Sequence, residues 1–224
     1  MAKGHHEVKN RRKEPDLGAW WEVVMSMGMP ALYIAGIICG IIGTICQGVI
    51  TYYWSNLDTP ACYLYSPTAS AKIFYSFGSP VAVCNWVTYG SVVAICIAFI
   101  TGLLYTIKVR GEKDLNLYMT LVLIGIVVSC LLILATTCTV AEGMRVSCTS
   151  MGLNSANNKG SNCYDKLNQR VSQYNLPIKT STLVITTIIG LSLCNIFFFV
   201  IAFFHIMDWY RRYRRVTIER VDYQ

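Results

Sequence analysis

A chain of 224 residues with 54% hydrophobic side chains, 14% charged ones and a mean hydropathy of +0.45 lacks the polar surface that a water-soluble globular protein needs. Its net charge of +7 lies beside apolar stretches, where it suits anionic lipid headgroups and argues against nucleic acid as a partner. Three histidines, two of them adjacent as His5 and His6, leave little material for a catalytic base or a metal centre.

Residues 1–16 are polar and charged, close at Pro15, and are expected to be a disordered cytosolic tail. From Leu17 to Met29 the pattern becomes amphipathic, with Trp20, Trp21, Val23, Val24, Met25 and Met27 around Glu22. Such a segment is expected to lie at the inner membrane interface until Pro30 turns the chain into the bilayer, so 1–29 reads as one basic, interfacial unit.

Four apolar stretches follow, at about 30–53, 81–107, 115–141 and 183–207. A helix rises about 1.5 Å per residue and the hydrocarbon core is roughly 30 Å thick, so each stretch is long enough to cross. The fold class is therefore all-α, a four-transmembrane-helix bundle over 30–207, with outer loops at 54–80 and 142–182 and a basic tail at 208–224.

Thirteen of the nineteen Lys and Arg residues fall in the N-terminal tail, the connection after the second span and the C-terminal tail. Basic residues resist translocation, so both termini are expected in the cytosol and the protein in the plasma membrane or a secretory-pathway membrane. Arg211, Arg212, Arg214 and Arg215 follow directly on the last span and are candidates to grip anionic lipids at the cytosolic face.

Four of the ten cysteines, Cys62, Cys84, Cys148 and Cys163, lie two by two in the outer loops, where an oxidising compartment would pair them. Closure within each loop is the favoured arrangement, and a bridge between the loops remains open. The other six, Cys39, Cys46, Cys96, Cys130, Cys138 and Cys194, are scattered through the spans without a Cys-x-x-Cys pair and read as small apolar core residues.

Two stripes of small residues recur at intervals of four: Gly36, Gly40, Thr44 and Gly48 in the first span, and Gly90, Ala94, Ala98 and Gly102 in the second. Small faces let helix backbones approach closely when lipid removes the hydrophobic drive. The stripes are expected either to pack on each other or to leave one facing outward for a partner's helix, with Gly36 and Gly40 as contact candidates. Loop aromatics Tyr63, Tyr65, Phe74, Tyr75 and Phe77 are further contact candidates, or they pack over the bundle top.

Polar residues within the spans are sparse: Gln47, Asn85, Ser129, Asn195 and His205. The span interiors lack Lys, Arg, Asp and Glu, unlike transporters and pumps, and no continuous polar stripe suggests a pore. Glu142 and Arg145 are spaced for a helical ion pair at the outer interface. No phosphate-binding glycine loop, nucleophile elbow or paired carboxylates occur, so neither an enzyme nor a cofactor is expected.

The outer loops resemble the transmembrane protein 179 family of four-span membrane proteins. The resemblance lies in Cys62-Tyr63-Leu64-Tyr65, in Gly78-Ser79-Pro80-Val81-Ala82-Val83-Cys84, in Gly143 to Met151 around Cys148, in Asn162-Cys163-Tyr164-Asp165-Lys166-Leu167, and in Tyr210-Arg-Arg-Tyr213-Arg. It implies the architecture and the four loop cysteines rather than an activity, and the long basic N-terminal tail departs from it. The Gly-Leu-Trp of claudins, the Cys-Cys-Gly of tetraspanins and the three cysteines per loop of connexins are absent.

These features lead to one functional expectation and a rival. The first is a non-catalytic accessory subunit that binds laterally to a larger channel or receptor and modulates its assembly, trafficking or gating. The second is a four-span protein that associates with copies of itself in junctions or vesicle membranes.

Overall fold

The computed structural model describes residues 24–56, 62–65, 81–108, 115–150, 163–164, 168 and 178–222. Among these, four long helices form the framework: α1 (Met29–Ser55), α2 (Val81–Lys108), α3 (Leu115–Ser150) and α4 (Thr180–Asp222). Each contains a window apolar enough to cross a membrane, so the chain is an all-α, four-span membrane bundle.

The helices are longer than the apolar stretches that seed them. α3 runs nine residues past Ala141, through Glu142 and Arg145, and α4 continues through the basic segment to Asp222. In a helix every backbone amide from the fifth onward finds its own acceptor, so helicity persists beyond the hydrocarbon, in α3 even through Gly143. Much of what composition marks as outer loop at 142–150 and as cytosolic tail at 208–222 is therefore helical.

The entry to α1 also differs from expectation. A five-residue π-helical turn, Val24–Gly28, runs directly into α1 with Gly28 in helical conformation, and Pro30 sits in the first helical turn. Pro30 has no N–H, so one carbonyl of the preceding turn goes without a helical donor, and the helical path runs on through this point instead of turning at it. Trp20, Trp21 and the tail before them lie outside the described residues.

Consecutive helices are antiparallel neighbours, and α4 closes the ring by packing against α1 over the most extensive seam of the four. The ends of α1 and α3 and the starts of α2 and α4 thus share one end, called here the loop end. The opposite, tail end holds the π-helical turn and the start of α3.

Side chains fill the interior in two sets. Toward the tail end lie Met29, Tyr33, Ala98, Tyr105, Ile126, Phe198 and Ile201; toward the loop end lie Ile50, Trp54, Val87, Val140, Met144 and Val184 with Cys62, Tyr63 and Leu64. The outward faces carry large apolar side chains, such as Ile34, Ile38, Ile41 and Ile45 on α1 and Phe199 and Phe203 on α4. In water this would be an aggregation surface; in a bilayer it is the solvated one.

The small-residue stripes lie inside this bundle, but they do not pack face to face. Gly36 abuts Phe198 and Gly40 abuts Cys194, both on α4, whereas Gly48 faces Thr88 on α2. A step of four residues overshoots the helical repeat by roughly 40°, so a stripe of three such steps winds roughly 120° around its helix. The second stripe drifts likewise, with Gly90 against Thr136 of α3 and Gly102 against Tyr33 of α1. Thr44, Ala94 and Ala98 are buried as well, and Gly48 is half-buried, so both stripes face mainly into the bundle.

Backbones also approach closely at glycines outside the stripes. A Cβ on Gly190 would stand 3.0 Å from the Cys39 carbonyl oxygen and from the Gly43 nitrogen and Cα. Backbone meets backbone there, which fixes the separation of α1 and α4.

Candidate functional site

The loop end is closed by the short segment 62–65, which sits in the mouth of the bundle. Cys62, Tyr63 and Leu64 are fully buried. Gly143 makes this possible: a Cβ there would come within 2.9 Å of Leu64 Cβ and 3.0 Å of Tyr65 Cε2. The Tyr65 amide donates to the Gly143 carbonyl at 3.2 Å, and the Ser147 hydroxyl donates to the Tyr63 carbonyl at 3.0 Å. Tyr65 takes a φ of 52°, a left-handed conformation that side chains rarely adopt, to complete this turn.

Two disulfides frame the cap. Cys62 bonds to Cys84 at the start of α2, with Cα atoms 5.7 Å apart, and Cys148 near the end of α3 bonds to Cys163, with Cα atoms 5.5 Å apart. Each bridge closes within one inter-helix connection, and none joins the two. The first is shielded, Cys62 being 0% and Cys84 1% exposed, while both cysteines of the second are half-buried.

From the cap, Tyr63 reaches down into the bundle. Its hydroxyl donates to Gln47 Oε1 at 2.7 Å, and Gln47 Nε2 donates to Thr51 Oγ1 at 3.4 Å. Thr51 meets Thr88 of α2 at 3.1 Å, and one turn deeper Ser91 donates to Thr136 of α3 at 3.3 Å. Burial raises the Tyr63 hydroxyl well above the usual phenol range, so it remains a hydrogen-bond donor. Trp54 Nε1 donates to Thr180 at 3.5 Å on the α4 side, and Asn168 bonds Ser181 through both its amide nitrogen and its oxygen. A polar layer therefore links the cap to all four helices.

Of the residues singled out by sequence, Gln47 and Tyr63 belong to this layer. Thr51, Thr88, Ser91, Thr136, Ser147 and Thr180 supply its other hydroxyls. Their signal was the spacing of Thr44, Gln47 and Thr51, which puts three polar groups on one face of α1. The other polar candidates stand apart. Asn195 accepts a 3.5 Å contact from the Cys130 thiol, Ser129 donates to its own helix at the Gly125 carbonyl, and Asn85 is half-buried near the loop end.

At the tail end His205 forms a second polar centre. Its Nε2 lies 3.1 Å from the Tyr33 hydroxyl, and Tyr105 packs edge-on with ring centroids 5.1 Å apart. Tyr105 donates to the Met25 carbonyl at 2.7 Å, tying the π-helical turn to α2. Thr44 Oγ1, Thr187 Oγ1 and His205 Nδ1 are buried without a hydrogen-bond partner among the described residues.

Glu142 and Arg145 form a two-pronged ion pair at 2.6 and 2.7 Å on the exposed side of α3. Such a pair orders the helix end but contributes little stability in contact with water. Of the arginines after the last span, Arg211 is half-buried, and the side chains of Arg212, Arg214 and Arg215 lie outside those described. So do Phe74, Tyr75 and Phe77; Tyr63 and Tyr65 pack into the bundle top.

Among the described residues no group of three or more His, Cys, Asp or Glu side chains is arranged to hold a metal ion. No protein-family model, curated protein or solved structure matches the chain.

Proposed function

We propose that this chain is a non-catalytic accessory subunit that binds laterally to a larger channel or receptor in the same bilayer and modulates its assembly, trafficking or gating. The observation that carries the reading is the filled and capped interior. Side chains occupy the bundle along both halves, and the Tyr63 cap occupies its loop-end mouth. A protein built this way offers its contacts outward, through the lipid-facing helix surfaces and the disulfide-framed loop end.

The orientation that fits is both termini in the cytosol of a plasma-membrane protein, with basic residues inside and disulfides outside. Anionic lipids then meet Arg211 and its neighbours at the cytosolic face. The outward isoleucines of α1, Ile34, Ile38, Ile41 and Ile45, favour helix contact because a β-branched side chain has little rotamer freedom to lose on docking. Gly36 and Gly40, being enclosed, are not part of that surface.

The test is co-purification of the native protein in mild detergent, with mass spectrometry of what accompanies it in stoichiometric amount. A single large channel or receptor supports the reading, and its loss on changing Ile38 and Ile45 to Trp, with thermal stability unchanged, places the contact on α1. Recovery of copies of this chain alone would overturn the reading in favour of a self-associating structural protein.

A further inference from the structure

The accessory role leaves two ionisable side chains unused, His205 and Asp208 on α4, which are 2% and 8% exposed. They lie one turn apart on the same buried face. Ionisable groups enclosed in a membrane bundle are costly, and they mark working positions more often than filling.

His205 is tightly enclosed by rings. Tyr33 of α1 takes its Nε2, Tyr105 of α2 covers it edge-on, and both belong to one buried cluster with Met29, Ile201 and Ala202. A neutral imidazole in this place makes only the Tyr33 bond. Whichever nitrogen carries the hydrogen, Nδ1 is left as an idle donor or an idle acceptor. A second proton would add a charge to a side chain that is only 2% exposed.

Among the described residues, the titratable groups set against it are Tyr33 and Tyr105, with Asp208 one turn on along α4 and Arg211 a turn beyond; Tyr118 of α3 packs against the same cluster, its hydroxyl committed to the Leu104 carbonyl. Of these, only Asp208 can supply a negative counter-charge, and it lies on the tail side of the imidazole.

We propose that His205 is an acid-sensitive latch on the tail end of the α1–α4 seam. Neutral, it closes the seam between Tyr33 and Tyr105. On taking a proton from tail-side water it leaves the enclosure for that water, and the π-helical turn 24–28 and the first turns of α1 loosen with it. Those turns are held to α2 by the Tyr105 bond to Met25, so a shift of the rings is passed to the chain entry. Asp208 tempers the response by stabilising the imidazolium where it stands. Imidazole is suited to this because its charge changes within the range of pH that cells use.

The test is amide hydrogen exchange of the full chain in phosphatidylcholine nanodiscs at about pH 7.5 and about pH 5.5, with labelling times scaled for the intrinsic rate. In the wild type, segments 25–33 and 201–208 should exchange about tenfold faster at the lower pH while 43–51 stays unchanged. His205→Gln, which can still bond Tyr33 but cannot titrate, should abolish the difference, and Asp208→Asn should enlarge it. Equal exchange at both pH values in the wild type, or an acid response that persists in His205→Gln, would overturn the proposal. If His205→Gln does not fold, Tyr33→Phe decides: losing the bond that closes the seam over the neutral imidazole should speed exchange of 25–33 at the higher pH, and unchanged exchange there would overturn the proposal.

Discussion

Tyr63 and Gln47 illustrate what one hydrogen bond is worth where water is excluded. The Tyr63 hydroxyl is held 2.7 Å from Gln47 Oε1, and both side chains are fully buried. Tyr63→Phe removes the donor and strands a carboxamide oxygen, which should lower stability by ~1–3 kcal/mol, whereas replacing both partners with apolar groups is nearly neutral. Thermal unfolding of Tyr63→Phe in detergent should therefore show a clear loss, and Gln47→Leu added to it should recover part of that loss. A double variant less stable than the single one would mean that the carboxamide works mainly through Thr51. Gln47 is legible in the sequence because a glutamine in an apolar run stands out. Thr51, Thr88, Ser91 and Thr136 are not, because a hydroxyl on a helix can always turn back to its own backbone carbonyl, as Thr88 does to Cys84 and Ser91 to Val87. Which hydroxyls also reach across helices depends on the register between them, and composition does not carry that.

At the scale of the helices, glycine position rather than glycine number sets how the bundle closes. Gly190→Ala would push a methyl group to 3.0 Å from the backbone of Cys39 and Gly43, atoms that cannot give way without separating α1 from α4. Overpacking of this kind costs about 1–3 kcal/mol. Gly48→Ala meets only the Thr88 methyl at 3.7 Å, an ordinary contact, so it should be neutral or gain up to about 0.5–1 kcal/mol from the better helix former. Chemical denaturation of the two variants side by side should place Gly190→Ala below wild type and Gly48→Ala at or above it; equal effects would mean that the α1–α4 seam can breathe. The existence and order of the four helices were plain from hydropathy, since twenty apolar residues in a row have few other solutions. Helix ends were not, because the backbone of α3 and α4 goes on bonding to itself after the apolar residues stop. Nor was the partner of each small residue, because a repeat of four rotates steadily around a helix whose period is 3.6.

For the whole molecule, the cap and the two disulfides make the loop end a graded structure. Reduction requires a thiolate to reach a disulfide sulfur, so access governs the order in which bridges open. Cys148 and Cys163 are half-buried and offer that access, whereas Cys62 and Cys84 lie among Tyr63, Leu64, the start of α2 and the end of α3. Titration with a thiol reductant, followed by alkylation and mass spectrometry, should thus label Cys148 and Cys163 first. Cys62 and Cys84 should follow only at concentrations that unseat the cap. Gly143→Val tests the cause, because its side chain would collide with Leu64 and Tyr65 and lift the cap. In that variant the second step should move toward the first, while Cys148 and Cys163 open as before. Were Cys62 and Cys84 to open first in the wild type, the cap would not be shielding them. If the order held but Gly143→Val left it unchanged, the shielding would come from the helix ends rather than from residues 62–65.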